Sequence, residues 1–119
     1  MIPKLLFGTA GIPLSTPLKD TFNGIQHVKT LGLDAMEMEF VRSVNISDEK
    51  APLIKEQAKK HDVILTCHGQ YFVNLNSLQE KTVEESIQRI LTASRRAHQA
   101  GVWSICYHVA YYSGADIEK

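Results

Sequence analysis

The sequence predicts an α/β fold: a parallel (β/α) half-barrel, made of the first four strands of a (β/α)8 barrel. Three observations carry the prediction. Strand-like and helix-like segments alternate from end to end with short connections, the pattern of parallel strands joined by right-handed crossovers. Strands two, three and four each show one bulky apolar face and one smaller, more polar face, whereas an open sheet covered by helices on both sides is apolar throughout. A chain of 119 residues is one domain with a single core, against about 250 residues for a complete barrel.

Each element follows from local pattern. "KLLFG" (4–8) reads as the first strand. In "TPLKDTFNGIQHVKTLG", Thr16 can cap a helix and Pro17 suits its first position. Leu18, Phe22, Ile25 and Val28 keep helical spacing, and Gly32 supplies the stop. "DAMEMEF" (34–40) alternates strictly and is the second strand. A second helix lies within 48–60, where Pro52 is tolerated only in the first turn. "VILTC" (63–67) is the third strand. Ser77 and Glu80 have capping-box spacing ahead of a helix over about 80–100, with Val83, Ile87, Ile90, Leu91, Ser94 and Ala97 on one stripe. Gly101 ends that helix, and "WSICY" (103–107) is the fourth strand.

Side-chain parity decides between the two parallel architectures. Met36, Met38 and Phe40 share one face of strand two, and Glu37 and Glu39 the other. Val63, Leu65 and Cys67 oppose Ile64, Thr66 and His68. Trp103, Ile105 and Tyr107 oppose Ser104, Cys106 and His108. Two carboxylates under a second helical layer would cost several kcal/mol each unless paired. A polar barrel lumen accommodates them. Half a barrel leaves lumen and sheet edges open, so self-association or a missing C-terminal half is expected.

Lys and Arg together number 13, as do Asp and Glu, for a formal net charge of zero. That balance argues against a general nucleic-acid or membrane surface. No apolar run approaches a membrane span, and "MIPKLLFGTAG" is too short for a secretory signal. A cytoplasmic location is the expectation. Cys67 and Cys106 match no zinc-knuckle or redox spacing and are expected to be free, buried thiols.

The chemistry gathers at the carboxyl ends of the strands, the working end of parallel barrels. "VILTCHGQYFVNLNS" runs into His68 and "WSICYHVAYYSG" into His108, on adjacent strands and on lumen parity. Neutral imidazole is the commonest metal ligand, so these two residues are candidate ligands to one divalent ion. Unrelated polar residues at strand ends are the plain alternative. Glu39 ends strand two on the same parity and is a candidate ligand, orienting partner or general base. Arg42, just beyond, could pair with Glu39 or contact a phosphate. His27, His61 and His98 lie on or beside helices as solvated or capping residues. In the loop after His68, Tyr71 suits stacking on a sugar or base, while Phe72 and Leu75 are expected to fasten the loop to the core.

"CHGQYFVNLNS" resembles the third-strand motif of the endonuclease IV family, where a histidine is closely followed by a tyrosine and an Asn-Leu pair. "CYHVAYYSG" resembles that family's fourth-strand motif. The broader relatives are the xylose-isomerase-like TIM-type barrels, which include sugar isomerases and epimerases. The resemblance implies that residues 1–119 are a single domain, the N-terminal half of a zinc-dependent barrel. Such a barrel cleaves DNA phosphodiesters at abasic sites. It implies that His68 and His108 ligate one zinc, completed by a glutamate from a fifth strand, and that Tyr71 lies near the DNA. Two departures stand out: "FGTAGIPLST" replaces the family's histidine-containing opening, and "MEMEFVR" brings acidic residues into the lumen. They keep a sugar isomerase or epimerase as the second expectation, and a non-catalytic, self-associating half-barrel as the third.

Overall fold

The computed structural model describes residues 4–112. Four strands, β1 (Gly8–Ala10), β2 (Ala35–Glu39), β3 (Ile64–His68) and β4 (Ser104–Cys106), alternate with three helices. These are α1 (Thr21–Thr30), α2 (Lys50–His61) and α3 (Glu80–Gln99). The strands lie in chain order and every neighbouring pair is parallel. This is the half-barrel that alternation predicts.

Burial is one-sided. Met36, Met38 and Phe40 of the second strand region and Leu65 and Cys67 of β3 are no more than 3% exposed. They form one core with Ile25 and Val28 of α1, Ile54 and Ala58 of α2, and Ala93 and Ala97 of α3. Each large apolar side chain so buried stabilises the fold by about 1.5–3 kcal/mol. On the opposite parity, Glu37, Thr66 and His68 are half-buried, and Glu39, Ser104, Cys106 and His108 are exposed. Trp103 is the exception to the pattern. It has the parity of Ile105 and Tyr107 yet is 68% exposed, at the start of a strand with a neighbour on one side only.

Several boundaries differ from the sequence reading. The first strand is Gly8–Ala10 and not 4–8, because the ladder with β2 pairs Gly8 with Ala35 and Ala10 with Glu37. Leu5 and Phe7, which drew the strand too early, are 76% and 63% exposed. Helix α1 starts at Thr21 and not near Thr16. The carboxylate of Asp20 accepts from the Asn23 backbone N–H (2.8 Å) and side-chain amide (2.7 Å). Aspartate is a stronger cap than threonine, and Leu18, which the sequence places on the buried stripe, is exposed. Pro52 is the third residue of α2, where no helical hydrogen bond is lost.

The expected capping box of α3 is absent. Gln79 occupies the cap without a side-chain bond, and the Ser77 hydroxyl accepts from the Gln79 N–H (3.2 Å). The buried line of α3 also differs: Ser86, Ala93 and Ala97 are covered, whereas Ile87 and Leu91 are exposed. Small residues allow the helix to approach its neighbours closely.

Asp20→Ala is expected to cost about 1 kcal/mol in urea unfolding. The hydrogen bond from the Asn23 backbone holds the Asp20 carboxyl below the ordinary range. Its contribution is therefore present above the unfolded-state pKa and fades as pH falls through the depressed folded value. The gap between wild type and variant should close in acid.

Candidate functional site

The ladder that builds the fold also builds the site. Glu39 of β2 pairs in register with His68 of β3, and His68 with Cys106 of β4. His108 follows Cys106 by two residues, just beyond the strand, and its ring comes to the side of His68. The His68 and His108 rings stand with centres 5.2 Å apart and planes inclined by 33°. Tyr71 meets the His68 ring edge-on at 5.3 Å.

A hydrogen bond fixes the chemistry of the His68 ring. Nδ1 lies 2.8 Å from the Gly69 carbonyl oxygen. A carbonyl only accepts, so Nδ1 carries the hydrogen and, in the neutral ring, Nε2 keeps its lone pair. Metal-binding histidines are oriented by this kind of partner. Two imidazoles at about 2.0–2.1 Å from one tetrahedral ion would have centres roughly 5 Å apart. The pair could therefore hold a divalent cation. Among the described residues, no three or more His, Cys, Asp or Glu stand close enough to hold a metal ion. A complete coordination shell needs ligands beyond these two rings.

Packing holds the His68 end in place. The Tyr107 ring lies against Gly69, so a Cβ there would stand 2.1 Å from a ring carbon. Tyr107 is anchored at its far end, where its hydroxyl meets Ser94 Oγ (2.8 Å) and donates to the Ile90 carbonyl (3.0 Å). Burial pushes the Tyr107 hydroxyl above its ordinary pKa, keeping it a donor.

Glu39 sits against the turn after β1, where a methyl on Gly11 would come within 3.2 Å of its carboxylate. Glu37 and Glu39 both line a small cavity of about 140 Å³, together with Gly11, Thr21 and Asn45. Arg42 is exposed, and its carbonyl accepts from the Gln70 side chain (3.3 Å). No ion pair joins it to Glu39 among the described residues.

Other residues fall away from the site. The Nε2 of His27 meets the Ser15 hydroxyl at 2.8 Å; His61 closes α2 and His98 lies in the last turn of α3. Val73, 1% exposed, fastens the loop after β3, not Phe72 (63%) or Leu75 (40%). The apolar Phe72 and Leu75 drew attention away from a smaller side chain on the inward side.

The two thiols differ. Both are free, but Cys67 is buried and Cys106 is exposed, which corrects the expectation that both are buried. Cys106 falls on the uncovered face. Burial pushes the Cys67 thiol up to about 12.

Residues 25–119 match the xylose isomerase-like TIM barrel family, and the chain belongs to it. It is 36% identical over 108 residues to an uncharacterized protein of Methanocaldococcus jannaschii, covering 91% of this chain and 38% of that protein. In structure it is similar to D-psicose 3-epimerase crystallised in the presence of D-fructose, with a TM-score of 0.60 and 21% identity. That match covers 78% of this chain and 33% of the other. It is also similar to SacUVDE, with a TM-score of 0.52 and 15% identity over 90% of this chain and 46% of the other. The chain thus spans less than half the length of each of these proteins. Among the described residues no helix is long and apolar enough to cross a membrane.

Two outcomes are expected here. At pH ~8 a disulfide reagent should label one thiol rapidly and the other only on unfolding, and Cys106→Ser should remove the rapid phase. Gly69→Ala should cost about 1–3 kcal/mol by overpacking against Tyr107, read as a lowered urea midpoint.

Proposed function

We propose that the intact protein is a divalent-metal-dependent hydrolase that cuts DNA phosphodiesters at abasic sites, with zinc the first candidate metal. The observation that carries this reading is the His68–His108 pair, with ring centres 5.2 Å apart and a His68 hydrogen bond that leaves Nε2 free to ligate. The resemblance of the sequences around these two histidines to the endonuclease IV motifs supports DNA as substrate. A bound divalent cation would supply charge neutralisation to the phosphate oxygens as the transition state develops.

The chain's own residues then have separate tasks. His68 and His108 are the ligands, with the remainder of the shell supplied from outside the described residues. Glu39, register partner of His68, takes a proton from the attacking water. In the same displacement the new phosphorus–oxygen bond forms and the bond to the leaving sugar oxygen breaks. Tyr71, half-exposed beside His68, offers a face to the sugar–base wall of the substrate. Arg42 offers a charged fork to a phosphate.

A second reading has its own support. Glu37 and Glu39 line one small cavity, and paired carboxylates suit removal of a proton from a sugar carbon and its return to the same or the adjacent carbon. D-psicose 3-epimerase, of similar fold, is a ketose epimerase by name. On this reading the same imidazoles hold the metal and the substrate is a small ketose.

The zinc-loaded intact protein should nick an oligonucleotide carrying one abasic site. His68→Ala and His108→Ala should each lower that rate by roughly 100-fold or more, with zinc content reduced in parallel. Ketose conversion without nicking would establish the second reading. Equal zinc in wild type and in the double variant would remove both histidines as ligands.

A further inference from the structure

We infer that Asn74 and Asn76 are positioning residues, a two-amide clasp that sets the distance between His68 and His108. The loop after His68 and the segment after His108 are joined by a short run of hydrogen bonds. The Leu75 N–H donates to the Val109 carbonyl (2.8 Å). The Asn76 side-chain amide donates to the Tyr111 carbonyl (2.9 Å) and the Tyr112 carbonyl (3.4 Å). The Tyr111 N–H donates to Asn74 Oδ1 (3.1 Å), which also accepts from the Asn76 N–H (3.2 Å).

These bonds matter because regular strand pairing stops short of the second imidazole. The β3–β4 ladder ends at the pair His68–Cys106, and the Gly69 N–H still reaches the Cys106 carbonyl (2.9 Å). His108 lies beyond that point on exposed, irregular backbone. The clasp is the next tie between the two segments, and it begins one residue after His108. It is moored in turn to the helical layer. The Asn74 N–H donates to Ser86 Oγ (2.9 Å), and the fully buried Ser86 donates to the Thr82 carbonyl (2.6 Å). Arg89 adds a bond from Nη1 to the Phe72 carbonyl (2.9 Å). The His108 backbone is thereby referred to α3 through asparagine amides, without a third strand beside it.

Asn74 lends an acceptor oxygen to the Tyr111 N–H, and Asn76 a donor nitrogen to two carbonyls. Asn76→Asp keeps the shape, adds a charge, and sets an oxygen against two carbonyl oxygens. Leu78→Asp adds the same charge to the same loop at a side chain 86% exposed, outside the clasp. The pair of variants separates the clasp from a general effect of charge or loop stability.

The inference concerns ring placement, and its use in ligation rests on the metal reading. The test therefore has two parts. In the metal-free protein, ring-to-ring nuclear Overhauser contacts between His68 and His108 and slow exchange of the Tyr111 amide should be present. They should persist in Leu78→Asp and vanish in Asn76→Asp, with far-UV circular dichroism unchanged. Contacts that survive in Asn76→Asp, or two variants that behave alike, overturn the clasp. Cobalt(II) is then titrated by its visible absorption, and Asn76→Asp should bind it roughly 10- to 100-fold more weakly than wild type. Loss of ring contacts alongside wild-type protein that binds no cobalt supports the clasp and overturns the metal reading instead.

Discussion

The structure depends on a sheet covered by helices on one face only. Three crossovers of the same hand lay α1, α2 and α3 along one side, and alternation then sorts every strand residue into core or lumen. Met36, Met38, Phe40, Leu65 and Cys67 go to the core. Glu37, Glu39, Thr66, His68 and Cys106 face the other way. The same rule that supplies stability therefore gathers the titratable side chains. No charged group on these strands needs to be fully buried: Glu37 is half-buried and Glu39 exposed.

Parallel pairing adds the second dimension. Because β2, β3 and β4 run in register through Glu39, His68 and Cys106, a row of titratable side chains crosses the sheet at one level, the carboxyl ends of the strands. Local interactions then refine it. The Gly69 carbonyl selects the tautomer of His68, Tyr107 presses on Gly69, and Tyr71 packs across the His68 ring. Each of these groups lies within three residues of a histidine in sequence. Short segments carry most of the geometry.

The fold and the histidine pair were legible because both follow from period-two alternation, which a single sequence displays in full. What was not legible depended on competition between neighbouring signals. Thr16–Pro17 looks like a helix start, yet Asp20 outcompetes it with two hydrogen bonds that exist only in the folded chain. The apolar run before Gly8 overshadowed a strand of small residues. Cys106 reads as a buried thiol by residue type, although its parity already assigned it to the uncovered face. The Asn74–Asn76 clasp was invisible for a different reason. Its partners are mostly backbone groups 35 or more residues away, and backbone groups leave no mark in a sequence.

The central claim is that His68 and His108 grip one cation from adjacent strand ends. X-ray absorption at the zinc edge of the zinc-loaded protein tests it most directly, since imidazole rings give a characteristic multiple-scattering pattern. The account predicts a signal that fits two imidazoles on one zinc at about 2.0–2.1 Å, falling to one in either single alanine variant. Zinc bound by oxygen ligands with no imidazole, or a spectrum identical in wild type and variants, would contradict it.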